Sequence, residues 1–114
     1  MMIRNLTPHS ITIHGPEAGP LTLPSEGVAR CATASVAAAP RHGVPCAVTQ
    51  LGAVTGLPEP AEGVTLVVSG LVLDHPSTAG RTDLAAPGEL MRGPDGQPIG
   101  CRGLRVRAHA VPTP

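Results

Sequence analysis

Proline and glycine interrupt this chain at short intervals. The 114 residues include 14 prolines and 14 glycines, about a quarter of the chain. Proline fixes a backbone angle and lacks an amide donor, and glycine opens turns, so neither residue favours a long helix. An apolar content of 41% argues against wholesale disorder. The pattern predicts a mainly β fold, a small barrel or sandwich, with at most one short helix.

The core of this fold has to be built without aromatic side chains, because the sequence contains no Phe, Tyr or Trp. A buried aromatic usually contributes about 150–250 Å², more than Val, Leu, Ile or Ala can supply. The length fits one domain, and we predict a single domain over residues 1–111 followed by a flexible tail at 112–114. Because the core is thin, we expect a homo-oligomer, in which a second copy adds buried area.

Charge and composition exclude several classes of partner. The formal net charge is zero, and the eight basic residues are all arginine. Such a chain lacks the basic field that draws proteins to nucleic acid, and it has no aromatic ring to stack on a base. No apolar run approaches the roughly 20 residues of a membrane span, and the amino terminus lacks the apolar segment of a signal peptide. We expect a cytoplasmic protein with neither nucleic acid nor membrane as partner.

The cysteines do not form a recognisable metal or disulfide pattern. Cys31, Cys46 and Cys101 are an odd number at wide, irregular spacing. Together with His42 they offer the ligand types of a zinc site, but no pair has the close spacing of a zinc knuckle. A glycine-rich phosphate loop is absent as well. We therefore expect no metal, no cofactor and small thiols that pack as apolar groups.

Alternation and turn residues predict the individual elements. Strands are expected at residues 10–14, 21–23, 27–35, 44–50 with an extension to 54, and 64–68, the last as the central strand. Residues 69–74 predict a brief helix that Pro76 ends, and residues 93–96 predict the turn of a hairpin between 90–92 and 99–102. Residues 32–39 have helical propensity, and residues 104–110 alternate as a final strand with a wet, basic face.

Two polar segments are the candidates for a binding site. Asn5–His9 precedes the first predicted strand, and its alternative interpretation is a simple turn. The second segment begins at Ser69, which leaves the central strand at its carboxyl end, where ligand clefts tend to open. Arg81 in this segment suits an anionic group. An equal alternative is that Arg81 and Asp83 form a local ion pair that braces the loop. We predict one shared concavity with these ligand-binding residues: Thr7, His9, Ser69, His75, Arg81 and Asp83.

Evidence for catalysis is weak. Ser69, His75 and Asp83 are the residue types of a hydrolytic triad, but the nucleophile elbow needs a glycine where this chain has Val67. We therefore predict no catalytic residue, and keep a small hydrolase with His9 or His75 as general base as an alternative.

Several pieces of the chain resemble a family of short bacterial, actinobacterial and phage proteins without an established activity. These pieces are Asn5–His9, Gly56–Pro60, Val67–Ser69, Arg81–Leu84, Pro87, and Asp95–Gly96 with Ile99–Leu104, in the same order along most of the chain. The resemblance implies a soluble accessory protein of the kind carried on phages and other mobile elements.

Taken together, these observations predict a non-catalytic binding or accessory protein. Its expected partner is a small anionic, nucleotide-like ligand or a host protein. A structural subunit of a larger assembly is the further alternative, because interfaces would then compensate for the missing aromatic residues.

Overall fold

The computed structural model describes residues 2–15, 17 and 19–108, and short loops join most of its strands. The strands are β1 (Met2–Asn5), β2 (Ile11–His14), β3 (Leu21–Leu23), β4 (Arg30–Arg41), β5 (Val44–Thr55), β6 (Val64–Val67), β7 (Leu84–Arg92) and β8 (Pro98–Arg105). A short helix, α1 (Gly70–Asp74), and a 3₁₀ turn at Pro76–Thr78 lie between β6 and β7.

Six of the strands form one nearly closed, barrel-like sheet in the order β1-β6-β7-β8-β2-β3. β6 runs parallel to β1 and β7, and β7 and β8 form an antiparallel hairpin. The two edges approach each other where Asn5 bridges Ser25, beside a 2.8 Å bond from the Glu26 amide to the Asn5 carbonyl. The mainly β class with one short helix, predicted from proline and glycine, is confirmed.

The core lies between this sheet and α1, and it is built from small aliphatic side chains. Its buried members are Leu6, Ala29, Leu66, Val68, Val72, Leu73, Leu84 and Ala86. β6 is paired on both sides, and Val67 and Val68 at its end are 0% exposed. The predicted strand is therefore confirmed for Val64–Val67, as an interior strand that lies beside the edge strand β1. α1 matches the predicted brief helix, and the β7–β8 hairpin matches the predicted turn.

β4 and β5 form a separate two-stranded sheet that we call the arm, residues 30–55. Each strand is 12 residues long, and most of its side chains are exposed. The arm explains the extended shape of 53 × 39 × 32 Å and the radius of gyration of 16.6 Å. A chain of about this length that packs as one compact body has a radius of gyration of about 13 Å.

Residues 32–39 have helical propensity and overlap the strand predicted at 27–35, and in the structure they belong to β4. Alanine favours helices locally, but here the backbone of β4 pairs with β5 in register, for example Val36 with Val48. His42 and Gly43 turn the chain at the tip with φ of 51° and 76°. Positive φ at both central residues is what a two-residue hairpin turn requires. The turn and the strand pairing together outweigh the helical propensity of the alanines in β4.

The end of the chain departs from prediction as well. The last strand ends at Arg105, and the Arg107 guanidinium turns back to donate to the carbonyls of Leu73 and His75 at 2.7 and 2.8 Å. The predicted strand with a wet, basic face is therefore wrong for residues 106–108, whereas Leu104 and the exposed Arg105 belong to β8. Residues 109 and 110 of that prediction, and the predicted tail at 112–114, lie outside the described residues.

Candidate functional site

The Asn5–His9 segment is tied together by one buried amide. Asn5 is 0% exposed, and its side-chain oxygen accepts from the Thr7 amide at 2.9 Å and the Thr7 hydroxyl at 2.6 Å. Its NH₂ group donates to the carbonyls of His9 and Leu23 at 2.8 and 2.9 Å. The segment is therefore a closed corner that joins β1, β2 and β3. Thr7 is buried within it, and the side chain of His9 is exposed.

Ser69 begins α1 at the carboxyl end of β6. Its hydroxyl oxygen accepts from the Val72 amide at 3.3 Å, the usual bond of a helix N-cap. A serine that caps a helix in this way is held by a structural bond. Its position beyond the carboxyl end of the central strand matches the expectation from sequence.

His75 connects the body of the protein to the arm. The Ser77 amide donates to its Nδ1 at 3.0 Å, so Nδ1 is the unprotonated ring nitrogen. Nε2–H then donates to the Gly52 carbonyl on β5 at 2.8 Å. Both ring nitrogens are engaged, and the ring bridges the 3₁₀ turn and the arm.

Arg81 and Asp83 form a paired contact just before β7 begins at Leu84. Arg81 Nε donates to Asp83 Oδ1 at 2.8 Å and Nη2 to Oδ2 at 2.7 Å, while Nη2 also donates to the Pro58 carbonyl at 2.9 Å. These bonds fasten the connector before β6 to the sheet. Hydrogen bonding from Arg81 lowers the pKa of Asp83, although burial opposes this effect.

Replacing Asp83 with Asn is expected to lower the free energy of unfolding by about 1–2 kcal/mol at pH 7, since bonds to a charged partner are lost. The pKa of Asp83 is lowered in the folded state. Its contribution is therefore complete above the ordinary value of 3.8 and disappears as the pH falls through the lower folded value. Urea unfolding of both proteins at a series of pH values from 7 downwards checks this, because the two midpoints should approach each other as the pH falls below 3.8.

The matched control for this variant is Asp74→Asn. Asp74 pairs with Arg105 in the same bidentate manner, at 3.0 and 3.2 Å, but the two side chains are 61% and 48% exposed. Solvent weakens such a pair, so the control should change stability less than Asp83→Asn. Equal effects at the two sites, or a difference between Asp83→Asn and the unaltered protein that does not shrink as the pH falls below 3.8, would contradict this role for Asp83.

The second predicted segment is divided between two grooves, so the single concavity expected from the sequence does not hold all of the predicted residues. Pro8 of the corner and Ser69 line one groove together, whereas Asp83 lines another with Glu62. The strand register places Leu84 level with Leu66. Ser69 therefore lies about four residues, roughly 13 Å, beyond the level of Asp83 along the parallel strands. Ligand binding by Arg81 and Asp83 stays a prediction, at a position distinct from the Ser69 end.

The groove beside Ser69, which we call the arm-base groove, lies between the corner, α1 and the base of the arm. It encloses about 520 Å³ and is lined by Pro8, Val28, Ala29, Arg30, Cys31, Ala32, Ala53, Thr55, Ser69 and Leu71. This volume is within the range of small-molecule sites. Leu71 on its rim is 51% exposed.

One charged side chain, Arg30, lines this groove. The hydrogen bonds and ion pairs of residues 2–15, 17 and 19–108 include none to the Arg30 guanidinium, which is exposed at the first position of β4. The Cys31 thiol, next along the strand, donates to backbone carbonyls of Ala32 and Gly52 at 3.5 and 3.8 Å. No local sequence pattern marks this site, because five of its residues belong to the arm and meet Pro8, Ser69 and Leu71 only in the folded chain.

The cysteines and the possible zinc ligand lie in different parts of the fold. Cys31 lies near the base of the arm, Cys46 and His42 near its tip, and Cys101 is buried in β8. Within the described ranges, no three His, Cys, Asp or Glu residues gather as metal ligands. The part of the chain that the structure covers also contains no helix with the length and apolar character needed to cross a bilayer.

Comparison of this chain with family models, with curated proteins and with solved structures finds no match.

Proposed function

We infer that this chain is a non-catalytic binding protein whose arm-base groove takes a small ligand with an apolar body and one anionic group. The observation that carries this proposal is the composition of the groove, which is apolar except for Arg30, a thiol and two hydroxyls. Apolar walls with a few placed polar groups are typical of small-molecule sites. An arginine at the rim suits a carboxylate, sulfonate or phosphate, because its planar fork binds two oxygens.

The other predicted site residues support a framework role better than a ligand role. Thr7 bonds to the buried Asn5, and Arg81 bonds to Asp83 and Pro58. The anionic ligand predicted from sequence is therefore assigned here to Arg30. The proposal keeps the binding or accessory protein predicted from the sequence, but Arg30 takes the place of Arg81 as the residue that holds the anion.

Hydrolase chemistry has less support. A general base needs a ring nitrogen that can take a proton from the reacting group, and both ring nitrogens of His75 are engaged with Ser77 and Gly52. The Ser69 hydroxyl accepts from the helix amide of Val72. His9 does not line the groove.

Anilinonaphthalene sulfonate is a suitable probe, since it joins apolar rings to one anionic group and the chain has no aromatic residue to interfere. We expect saturable binding at one site per chain, weakened about 5- to 10-fold by Arg30→Ala, because the contact with the arginine contributes about 1–1.4 kcal/mol. Fluorescence titration measures this change. Circular dichroism of each variant verifies that the fold is retained.

Arg102→Ala is the matched control for that titration. Arg102 is an exposed arginine on β8, and the described residues provide it with neither an ion pair nor a side-chain hydrogen bond, as for Arg30. It does not line the arm-base groove. Unchanged binding in Arg30→Ala, or equal weakening in both variants, would overturn the proposed site.

A further inference from the structure

We propose that the arm is a dimerisation element, in which each arm packs one face against the body of a second copy in a reciprocal, two-fold exchange. By the body we mean the described residues outside the arm, within 2–29 and 56–108. The proposal concerns a different surface from the arm-base groove and does not depend on the ligand of that groove.

The two faces of the arm differ in character. Residues directly opposite each other in a ladder share a face, and the pairs Ala34–Gln50, Val36–Val48 and Ala38–Cys46 form what we call the valine face. Val36 and Val48 at its centre are 41% and 53% exposed. The pairs Thr33–Leu51, Ser35–Thr49 and Ala37–Ala47 form the opposite, threonine face. The valine face is thus an apolar surface with one amide.

The arm has little to stabilise it when it is alone. A two-stranded sheet without a covered face is marginally stable in water. β4 and β5 each have one unpaired edge, and edge strands are usually protected by charges along their length. Between Arg30 and Arg41 the arm carries no charged residue, and β5 carries none at all. An exposed apolar face with unprotected edges is typical of an element that another chain covers.

The area that would be buried in the interface favours the reciprocal exchange over contact between two arms. The free part of the arm, residues 33–51, is about 30 Å long and 10 Å wide, so one face offers about 300 Å². Packing two valine faces on each other would bury about 600 Å² in total, less than a stable interface needs. Packing each face on the partner's body buries about 300 Å² on each of four surfaces, about 1,200 Å² in all, which reaches the range of specific dimers.

Charge points the same way. Residues 30–55 contain two arginines and no acidic residue, for a net charge of +2. The whole chain has eight arginines and eight acidic residues, so the remainder has six arginines and eight acidic residues, for a net charge of −2. Two arms would repel each other, whereas an arm and a body attract. Because the positive and negative parts belong to the same chain, the complementary partner is a second copy.

Sedimentation velocity of the full chain at 1–100 µM tests the exchange. We expect a dimer that Val48→Asp weakens about 100-fold, since a charge is buried without a partner. Thr49→Asp, the adjacent residue on the threonine face, is the matched control and should leave the dimer intact. Arg41→Glu at the tip should weaken the dimer about 3-fold at low salt, because its attraction to the acidic body is reversed.

Each alternative result has a defined meaning. A wild-type monomer at 100 µM overturns the proposal, and so does a dimer that Thr49→Asp disrupts as strongly as Val48→Asp. A dimer that is tighter in Arg41→Glu indicates that two arms contact each other, which overturns the exchange with the body. Loss of the dimer in Val48→Asp with unchanged probe binding in the arm-base groove separates this inference from the proposed ligand site.

Discussion

Replacing Asn5 with Ala is expected to lower the free energy of unfolding by about 3–5 kcal/mol. The substitution removes four hydrogen bonds from a fully buried side chain. Each bond contributes about 1 kcal/mol, and each buried partner left unsatisfied adds a further cost. The chain has no aromatic residue, so urea unfolding is best followed by far-ultraviolet circular dichroism, at one fixed protein concentration.

Two milder substitutions serve as controls for the loss of stability expected in Asn5→Ala. Thr22→Ala removes one exposed hydroxyl contact with Thr12 at 3.2 Å and should change stability by less than about 0.5 kcal/mol. Thr7→Val removes one of the four bonds to the Asn5 side chain and the 3.1 Å bond from the Thr7 hydroxyl to the His9 carbonyl, and its effect should fall between the two. If Asn5→Ala proved as mild as Thr22→Ala, the corner would owe its closure to something other than this amide.

Replacing Gly56 with Ala is expected to destabilise the protein by about 3–5 kcal/mol and to disturb the arm. Gly56 follows β5 with φ of +80°, and a Cβ there would lie 2.5 Å from the Val28 carbonyl oxygen, a backbone atom. An alanine at positive φ costs about 1–2 kcal/mol by itself, and the backbone clash adds to this cost. The loss should appear in thermal unfolding, together with weaker probe binding in the adjacent groove.

Gly43→Ala separates the two causes of that effect. Gly43 has φ of +76°, but no atom lies within 4 Å of its would-be Cβ at the arm tip. This control should therefore show the cost of the backbone angle alone, about 1–2 kcal/mol. Equal losses in Gly56→Ala and Gly43→Ala would mean that the close approach to Val28 has no energetic importance.

Much of the fold is predictable because the signals are local. The Val64–Val68 run needs burial on both faces, and the Gly93–Gly96 turn fixes its own geometry, so both appear as expected. β1 was not predicted, because its four residues do not alternate between apolar and polar side chains and so give no periodic signal. The arm escaped in part because its alanines favour a helix locally, whereas the pairing that decides its structure joins residues up to 25 positions apart, Arg30 with Thr55.

The candidate site was harder to predict than the fold. Sequence identifies polar residues but not their partners, so Thr7 and Arg81 looked available for a ligand. The structure shows Thr7 bonded to Asn5, and Arg81 bonded to Asp83 and Pro58. Arg30, in contrast, has no local sequence pattern that distinguishes it, and only the approach of the arm to α1 places it beside a groove.

The polar motifs build the framework of this protein, and we propose that a ligand binds in the arm-base groove. Amide chemical shifts of ¹⁵N-labelled protein, recorded while anilinonaphthalene sulfonate is added, show where the probe binds. We expect the largest shifts at Ala29–Ala32, Ala53–Thr55 and Ser69–Leu71, the backbone segments that contain the groove-lining residues. Largest shifts at Arg81–Asp83 and Glu62–Val64, with little change around Arg30, would contradict this proposal.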